Sequence, residues 1–263
     1  MVNLHSPNIS RATPLHPRRI GIIVGASSGI GAALARQLAC EGYTLALLAR
    51  RKDLLESLCE QINQEVGETR ACVYVHDVTD YEKAPELLRE IISDLGGLDL
   101  FIYNAGISRP TGFKKYDFEK DRDTTEVNYL AALAWLNPVA EIFLSLKAGQ
   151  IVGISSVAGE RGRVGNPSYN ASKAALTCYL EALRNRLTRF GVHVLTVKPG
   201  FVATDMLIGA KKTFLVATPE KVATDISKAI RKRKQEIYTP GLWRWIMLVV
   251  RNIPSFIFRR MTF

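Results

Sequence analysis

The chain reads as one doubly wound α/β domain, a parallel sheet of about seven strands with helices on both faces, followed by a basic, apolar C-terminal tail. Three observations predict this. Short β-branched runs alternate with amphipathic helical stretches, the pattern of successive strand–helix–strand crossovers. The runs are continuously apolar rather than alternating, as strands buried on both faces must be. A glycine cluster joins the first run to the first helix, where folds of this kind receive a ligand at the carboxyl ends of their strands. A length of 263 residues suits one large core better than two ordinary domains.

Residues 1–17 contain Pro7, Pro14 and Pro17 and no apolar core, so they read as a flexible lead and not as a signal peptide. The domain is expected over residues 18–240. Its strands are predicted at 20–24, 44–49, 71–76, 98–103, 150–155 and 192–198, and its helices at 30–41, 52–66, 81–94, 117–146, 169–190 and 219–233. Residues 200–218 mix glycine, lysine and apolar side chains without a period and read as a mobile lid, or else as an ordinary long loop. Residues 241–263 form an extension in which 243–253 is helical. There Arg244 and Arg251 share one face, Trp243, Ile246, Met247 and Val250 occupy much of the rest, and Pro254 ends the helix.

A composition of 47% apolar and 23% charged residues excludes disordered, fibrous and disulfide-rich classes. The net charge of +10 raises nucleic acid, anionic membrane and anionic substrates as partners. Its distribution chooses among them. Residues 228–263 carry +8, residues 1–19 carry +3, and the body between them carries −1. No nucleic-acid reader motif accompanies the basic tail, so nucleic acid is not expected. A narrow cationic stripe beside a broad apolar face with tryptophan suits an anionic membrane surface. It equally suits a tail folded over a pocket or buried in a dimer, and both readings stay open. Cys40, Cys59, Cys72 and Cys178 lack ligand or redox spacing and read as reduced thiols of a cytoplasmic protein, peripherally attached to a membrane if the tail takes the first of those readings. No metal site is expected. The longest uncharged apolar run near the C-terminus, Trp245 to Val250, is far too short to span a bilayer.

The first strand runs into Gly25-Ala-Ser27-Ser28-Gly29-Ile30-Gly31. Glycines so spaced allow a tight turn, close approach to a pyrophosphate and close helix packing, while the helix N-terminus offers free N–H groups to the anion. After the second strand an NAD site would want an acidic residue for the ribose hydroxyls, but the chain has Arg50 and Arg51. Guanidinium forks suit a 2′-phosphate, so the cofactor reads as NADP(H). Asp77 and Val78 follow the third strand, where the carboxylate could accept from the adenine amino group. Asn104, Ala105 and Gly106 follow the fourth and are small enough to admit a cofactor against the sheet.

Two Tyr-x-x-x-Lys pairs occur, Tyr116/Lys120 and Tyr169/Lys173. The first lies in a charged stretch that reads as a solvated helix face. The second follows the fifth strand and its Ser155-Ser156 turn. On a helix, i and i+4 share a face, so Lys173 can lie beside Tyr169. Lowering a phenol pKa by about three units takes ~4 kcal/mol, and one cation at ~4 Å supplies about that at an effective dielectric of about 20. Tyr169 then serves as general acid or base, with Ser156 donating to the developing alkoxide.

Gly25-x3-Gly29-x-Gly31, Asn104-Ala-Gly, Asn128, Ser156, Tyr169, Lys173 and Pro199-Gly200 with Thr204 stand in the order and approximate spacing of the short-chain dehydrogenase/reductase family, which the chain resembles over roughly residues 18–240. The resemblance implies a Rossmann-type fold and a tetrad of Asn128, Ser156, Tyr169 and Lys173. In it the serine orients substrate, the tyrosine transfers the proton, the lysine also holds the nicotinamide ribose, and the asparagine positions a water relay. It further implies cofactor contacts from Pro199, Gly200, Val202 and Thr204, and a homo-oligomer. Val24 departs from the family pattern, where a threonine usually precedes the first glycine, and this puts one turn hydrogen bond in doubt. The segment from Ser155 to Arg163 and the tail also resemble bacterial reductases of decaprenylphosphoryl 2-keto-pentose and, more loosely, other lipid-ketone reductases. The expected activity is NADPH-dependent reduction of a ketone to a secondary alcohol, or the reverse, on a hydrophobic or lipid-linked substrate. The alternatives are a soluble small-molecule carbonyl reductase or alcohol dehydrogenase, and a non-catalytic NADP(H)-sensing protein.

Overall fold

In the computed structural model, which describes residues 19–207 and 213–261, seven strands form one sheet. They are β1 (Ile20–Val24), β2 (Thr44–Ala49), β3 (Ala71–Val75), β4 (Leu100–Tyr103), β5 (Gln150–Ile154), β6 (His193–Pro199) and β7 (Glu236–Thr239). Every pairing is parallel and the order is β3-β2-β1-β4-β5-β6-β7. The strand order therefore reverses between β1 and β4, which opens a crevice at their carboxyl ends. The flexible lead predicted over 1–17, residues 208–212 of the predicted lid and the last two residues of the tail lie outside the described residues.

Alternate strand residues feed two cores. Ile23, Leu45 and Leu47 pack with α1 (Gly29–Cys40), α2 (Lys52–Val66) and α7 (Pro219–Arg231) through Leu34, Leu38, Leu55, Val222 and Ile226. Ile22, Val24, Ala46 and Leu48 face α3 (Ala84–Leu95), α5 (Ala131–Leu146) and α6 (Pro167–Leu187) through Leu88, Ile91, Trp135, Phe143, Leu176 and Leu180. Burial on both faces is why these strands read as unbroken apolar runs.

Two elements differ from expectation. β7 is an edge strand whose Glu236 is exposed and whose next two residues are only partly buried, so it has no apolar run to reveal it. The long helix predicted over 117–146 is α4 (Phe118–Thr125) and α5 joined by a π turn, Glu126–Leu130. By length and composition alone this stretch, Phe118–Leu146, with a mean hydropathy of 1.4, would suffice to cross a bilayer. Here Trp135, Leu136, Val139 and Phe143 bury its apolar side against the sheet instead.

Beyond β7, the tail folds as α8 (Trp243–Asn252) and α9 (Ser255–Phe258), separated at Pro254. One face of α8 is docked. Trp243 and Met247 are buried, and the Trp243 indole lies 5.6 Å from the Phe201 ring and 5.0 Å from that of Phe214. Arg161 donates to the carbonyls of Val250, Arg251 and Ile253 at 2.6, 3.2 and 2.6 Å, satisfying acceptors that a helix end leaves free. Arg251 pairs with Glu160 at 3.1 Å. Glu160 in turn meets Lys198 at 2.6 Å, and Lys198 meets Glu236 of β7 at 2.6 Å. The other face carries Leu242, Trp245, Leu248 and Val249 into solvent, with Trp245 63% and Val249 66% exposed.

Candidate active site

At the end of β1 the chain turns through Gly25, at φ +85°, into α1. A Cβ on Gly25 would lie 2.6 Å from the Ala105 nitrogen, and one on Gly31 would lie 2.2 Å from the Gly25 carbonyl oxygen. One on Gly29, at φ +56°, would meet Thr204 at 2.9 Å. These approaches require glycine. The Gly25 N–H donates to the Leu48 carbonyl at 2.8 Å. Ser28 is the N-cap of α1 but makes no side-chain cap, and the first turn carries no acid. The helix end therefore presents free donors and positive potential to an anion. Ile30 packs partly buried on the core behind it.

Arg51, in the loop after β2, donates to Ser27 Oγ at 2.9 Å and to Ser28 Oγ at 2.6 Å, so these three residues form one polar rim. Arg50 reaches Asp77 at 3.4 Å. Burial alone would raise the Asp77 pKa, but the Thr79 backbone and hydroxyl donors and Arg50 outweigh it, and the carboxyl titrates below its usual range. Val78 beside it is buried. On the β4 side, Asn104 Nδ2 donates to the Gly25 carbonyl at 2.7 Å, tying the two strand ends together. These contacts join the ends of β1, β2, β3 and β4, and the close glycine approaches keep side chains off the turn after β1.

The π turn brings in Asn128. Its side chain accepts from Ile107 N–H at 2.8 Å and donates to the Ile107 carbonyl at 3.0 Å and to Ser172 Oγ at 3.1 Å. Gly106 lies under it, where a Cβ would sit 3.2 Å from Lys173 Nζ and 3.3 Å from Asn128 Oδ1. Ser156 caps the short turn after β5, accepting from Ala158 N–H at 3.1 Å, with its hydroxyl 3.5 Å from the Pro199 carbonyl. Gly200 N–H donates to Thr239 at 3.0 Å, and Val202 is buried and bridged to Ala217. The base of the predicted lid is therefore pinned at 201–203 and 217.

Tyr169 and Lys173 stand one turn apart on α6. Tyr116, the competing match, is 95% exposed and far from this arrangement chemically, its Lys120 paired with Asp117. One expectation is corrected. Lys173 was expected to lower the Tyr169 pKa from close range, but its Nζ donates to the Ile154 carbonyl at 2.9 Å and lies 5.9 Å from the tyrosine ring centroid. Burial raises the Tyr169 pKa, opposed by a hydrogen bond from Ser156 and by the Arg163 guanidinium. Burial also lowers Lys173 itself, from its usual 10.5 to about 8. Desolvation governs both groups. The β5 carbonyl of Ile154 and the hydroxyls of Ser155 and Ser172 were missed in the sequence. Ser155 Oγ donates to the Lys173 carbonyl at 2.9 Å, and only the packing of α6 on β5 reveals such supports.

A glycine-turned strand–helix loop beside a buried Ser156 and Lys173 and a half-buried Tyr169 is the arrangement a nicotinamide-dependent oxidoreductase needs. Comparison with known proteins agrees. The family model for short chain dehydrogenases matches residues 19–213, and the chain belongs to that family. An uncharacterized oxidoreductase of Mycobacterium tuberculosis is 32% identical over 229 residues, covering 87% of this chain and 90% of the relative. The ketoacyl reductase HetN of Nostoc is 30% identical over 221 residues, covering 82% of this chain and 76% of its own. Among solved structures, an actinorhodin polyketide ketoreductase variant crystallised with NADPH superposes with a TM-score of 0.74 at 25% identity, over 81% of this chain and 90% of that one.

Proposed function

We propose that the protein is an NADPH-dependent ketone reductase acting on a hydrophobic or lipid-linked substrate, with Asn128, Ser156, Tyr169 and Lys173 as its working tetrad. The observation that carries this reading is the half-buried Tyr169 one turn ahead of the buried Lys173 on α6, with the buried Ser156 at the carboxyl end of β5 acting on its phenol. When bound, the dinucleotide supplies the hydride. Gly25, Gly29, Gly31 and the start of α1 would hold its pyrophosphate, and Arg50 and Arg51 its 2′-phosphate. Asp77 and Val78 would flank the adenine, and Asn104, Ala105, Gly106, Pro199, Gly200, Val202 and Thr204 would line the rest of its path. Ser156 donates to the substrate oxygen, and Tyr169 Oη delivers the proton to that same atom. A phenol held protonated by burial is in the right state to act as the acid in ketone reduction. Lys173, with a pKa of about 8, is mostly charged at neutral pH and, held on the Ile154 carbonyl, would bind the nicotinamide ribose. Asn128 keeps Ile107 and Ser172 in place around it.

The hydrophobic substrate and peripheral attachment rest on the tail. Its outer face exposes Trp245, Leu248, Val249, Phe256 and Ile257 beside Arg244, Arg259 and Arg260, a surface suited to an anionic membrane. Turnover of a ketone panel, lipid ketones included, with NADPH and with NADH tests the reading. Oxidation of NADPH in preference to NADH is expected, lost by at least about 100-fold in Tyr169→Phe. Preference for NADH would overturn the roles of Arg50 and Arg51. Reduction confined to small polar ketones would favour a soluble carbonyl reductase. A Tyr169→Phe protein that kept full cellular function would favour an NADP(H) sensor.

A further inference from the structure

A glycine follows Pro199 at the end of β6, and backbone conformation does not call for it, since the φ of Gly200 lies outside the left-handed region. The tail does. A Cβ on Gly200 would lie 1.9 Å from Trp243 Nε1, 2.2 Å from its Cε2 and 2.5 Å from its Cδ1. The edge of the indole that carries the N–H thus occupies the place of a side chain. The same indole packs with Val157, the residue after Ser156, and Ser156 Oγ stands 3.5 Å from the Pro199 carbonyl. Trp243 therefore bridges the turn that bears Ser156 and the strand end beside it. Its ring also meets Phe201 and Phe214, and the two arms of that segment are tied where Ala217 N–H donates to the Phe201 carbonyl at 2.9 Å.

Stability alone would not select this contact. Trp243 is 4% exposed, yet its indole N–H has no hydrogen-bond acceptor among the described residues. A buried indole ordinarily finds one, and leaving a buried donor unsatisfied is unfavourable. Departures of this kind collect at functional sites. The helix that carries the indole is held at a second point by the chain of ion pairs Arg251–Glu160–Lys198. Glu160 ends the short turn that Ser156 caps, and Lys198 stands next to Pro199 on β6, so both fastenings of the tail fall on the two segments that flank the site.

We propose that Trp243 is a positioning residue of the reduction: the tail lays its indole on Gly200 and so fixes the end of β6, which would line the path of the cofactor, against the turn that carries Ser156. This role rests on the reductase reading and makes the tail a working part of the site.

A double-mutant cycle on the full chain tests the contact, read by calorimetry on the binding of NADPH and NADH. Gly200→Ala drives a methyl into the indole and is expected to weaken binding of the preferred nucleotide at least about tenfold in the parent, but less than about twofold in Trp243→Ala, where the room has been vacated. Equal losses in the two backgrounds would overturn the contact. Trp243→Ala by itself leaves the ends of β1, β2 and β3 untouched, so its nucleotide affinity is expected to stay within about threefold of the parent. On the ketone that the parent reduces best, its kcat is expected to fall at least about tenfold, with Trp243→Phe in between. A tryptophan that only holds the fold together would lower the urea midpoint and leave the kcat of the folded enzyme unchanged, and that result would overturn the positioning role. Trp243→Leu, which keeps more of the buried surface, runs the same cycle with the same expected outcomes should the alanine variant not fold. A parent that binds nucleotide but reduces no ketone would sink the reductase reading, whereas the cycle would still decide whether residues 200 and 243 act together on the bound nucleotide.

Discussion

Replacing Lys173 with methionine should make the protein more stable at neutral pH while removing its activity. Burial lowers the Lys173 pKa from 10.5 to about 8, and each unit is worth about 1.4 kcal/mol. The folded state therefore carries a penalty of about 3 kcal/mol for keeping this ammonium charged at pH values below about 8. The sign follows from proton counting. Between the two pKa values the unfolded chain binds more protons than the folded one, so stability rises with pH through that window and the penalty is gone above about 10.5. Methionine is close in size and removes the charge. It also strips the Ile154 carbonyl of its 2.9 Å donor, which costs about 1 kcal/mol or somewhat more. The net expectation is a gain of about 2 kcal/mol at about pH 7, shrinking to about zero near pH 9.5. Urea unfolding of both proteins at the two pH values and one protein concentration measures the difference. A variant destabilised equally at both would refute the desolvated lysine, and with it the idea that this site stores instability for chemistry.

Other substitutions probe the cleft and the clamp. Gly31→Ala places a methyl 2.2 Å from the Gly25 oxygen and should weaken NADPH binding at least about tenfold and lower Tm; unaltered titration of NADPH fluorescence would contradict the cradle. Arg51→Glu removes the fork now on Ser27 and Ser28 and should cut the preference for NADPH over NADH by roughly 10- to 100-fold, about the worth of charge-assisted hydrogen bonds, read from the ratio of kcat/KM values. Lys198→Met leaves the buried Glu160 carboxylate with Arg251 and the Tyr238 hydroxyl only and should destabilise by about 3 kcal/mol. Limited proteolysis should then cut ahead of α8 faster than in the parent, and an unchanged cleavage rate would mean that the clamp does not hold the tail.

The cleft was legible before any coordinates because its elements are local. Gly25, Gly29 and Gly31 sit on one turn, Tyr169 and Lys173 share one helical face, and strands buried on both sides announce themselves as apolar runs. β7 and the π turn were not legible. An edge strand needs no apolar run, and a π turn changes the helix phase by a single residue without any distinctive side chain. Asn128 shows the limit well: only family resemblance selected it, and its partners Ile107 and Ser172 lie 21 and 44 positions away.

The amino-acid sequence by itself determined the sheet, the cofactor loop and the residue types at the site, since these follow from patterns within a few residues of one another. Tertiary structure alone decided the charge states and the tail. Whether a lysine 4 positions from a tyrosine acts on it directly depends on which carbonyl it meets and how much water remains, and here Ile154 and burial govern both groups. The tail, which composition allowed either to fold back or to face a membrane, does the first with Trp243 and Met247 and leaves Trp245 and Val249 outward. A 10-residue helix can bury only one side against a flat partner, so docking one face necessarily exposes the other.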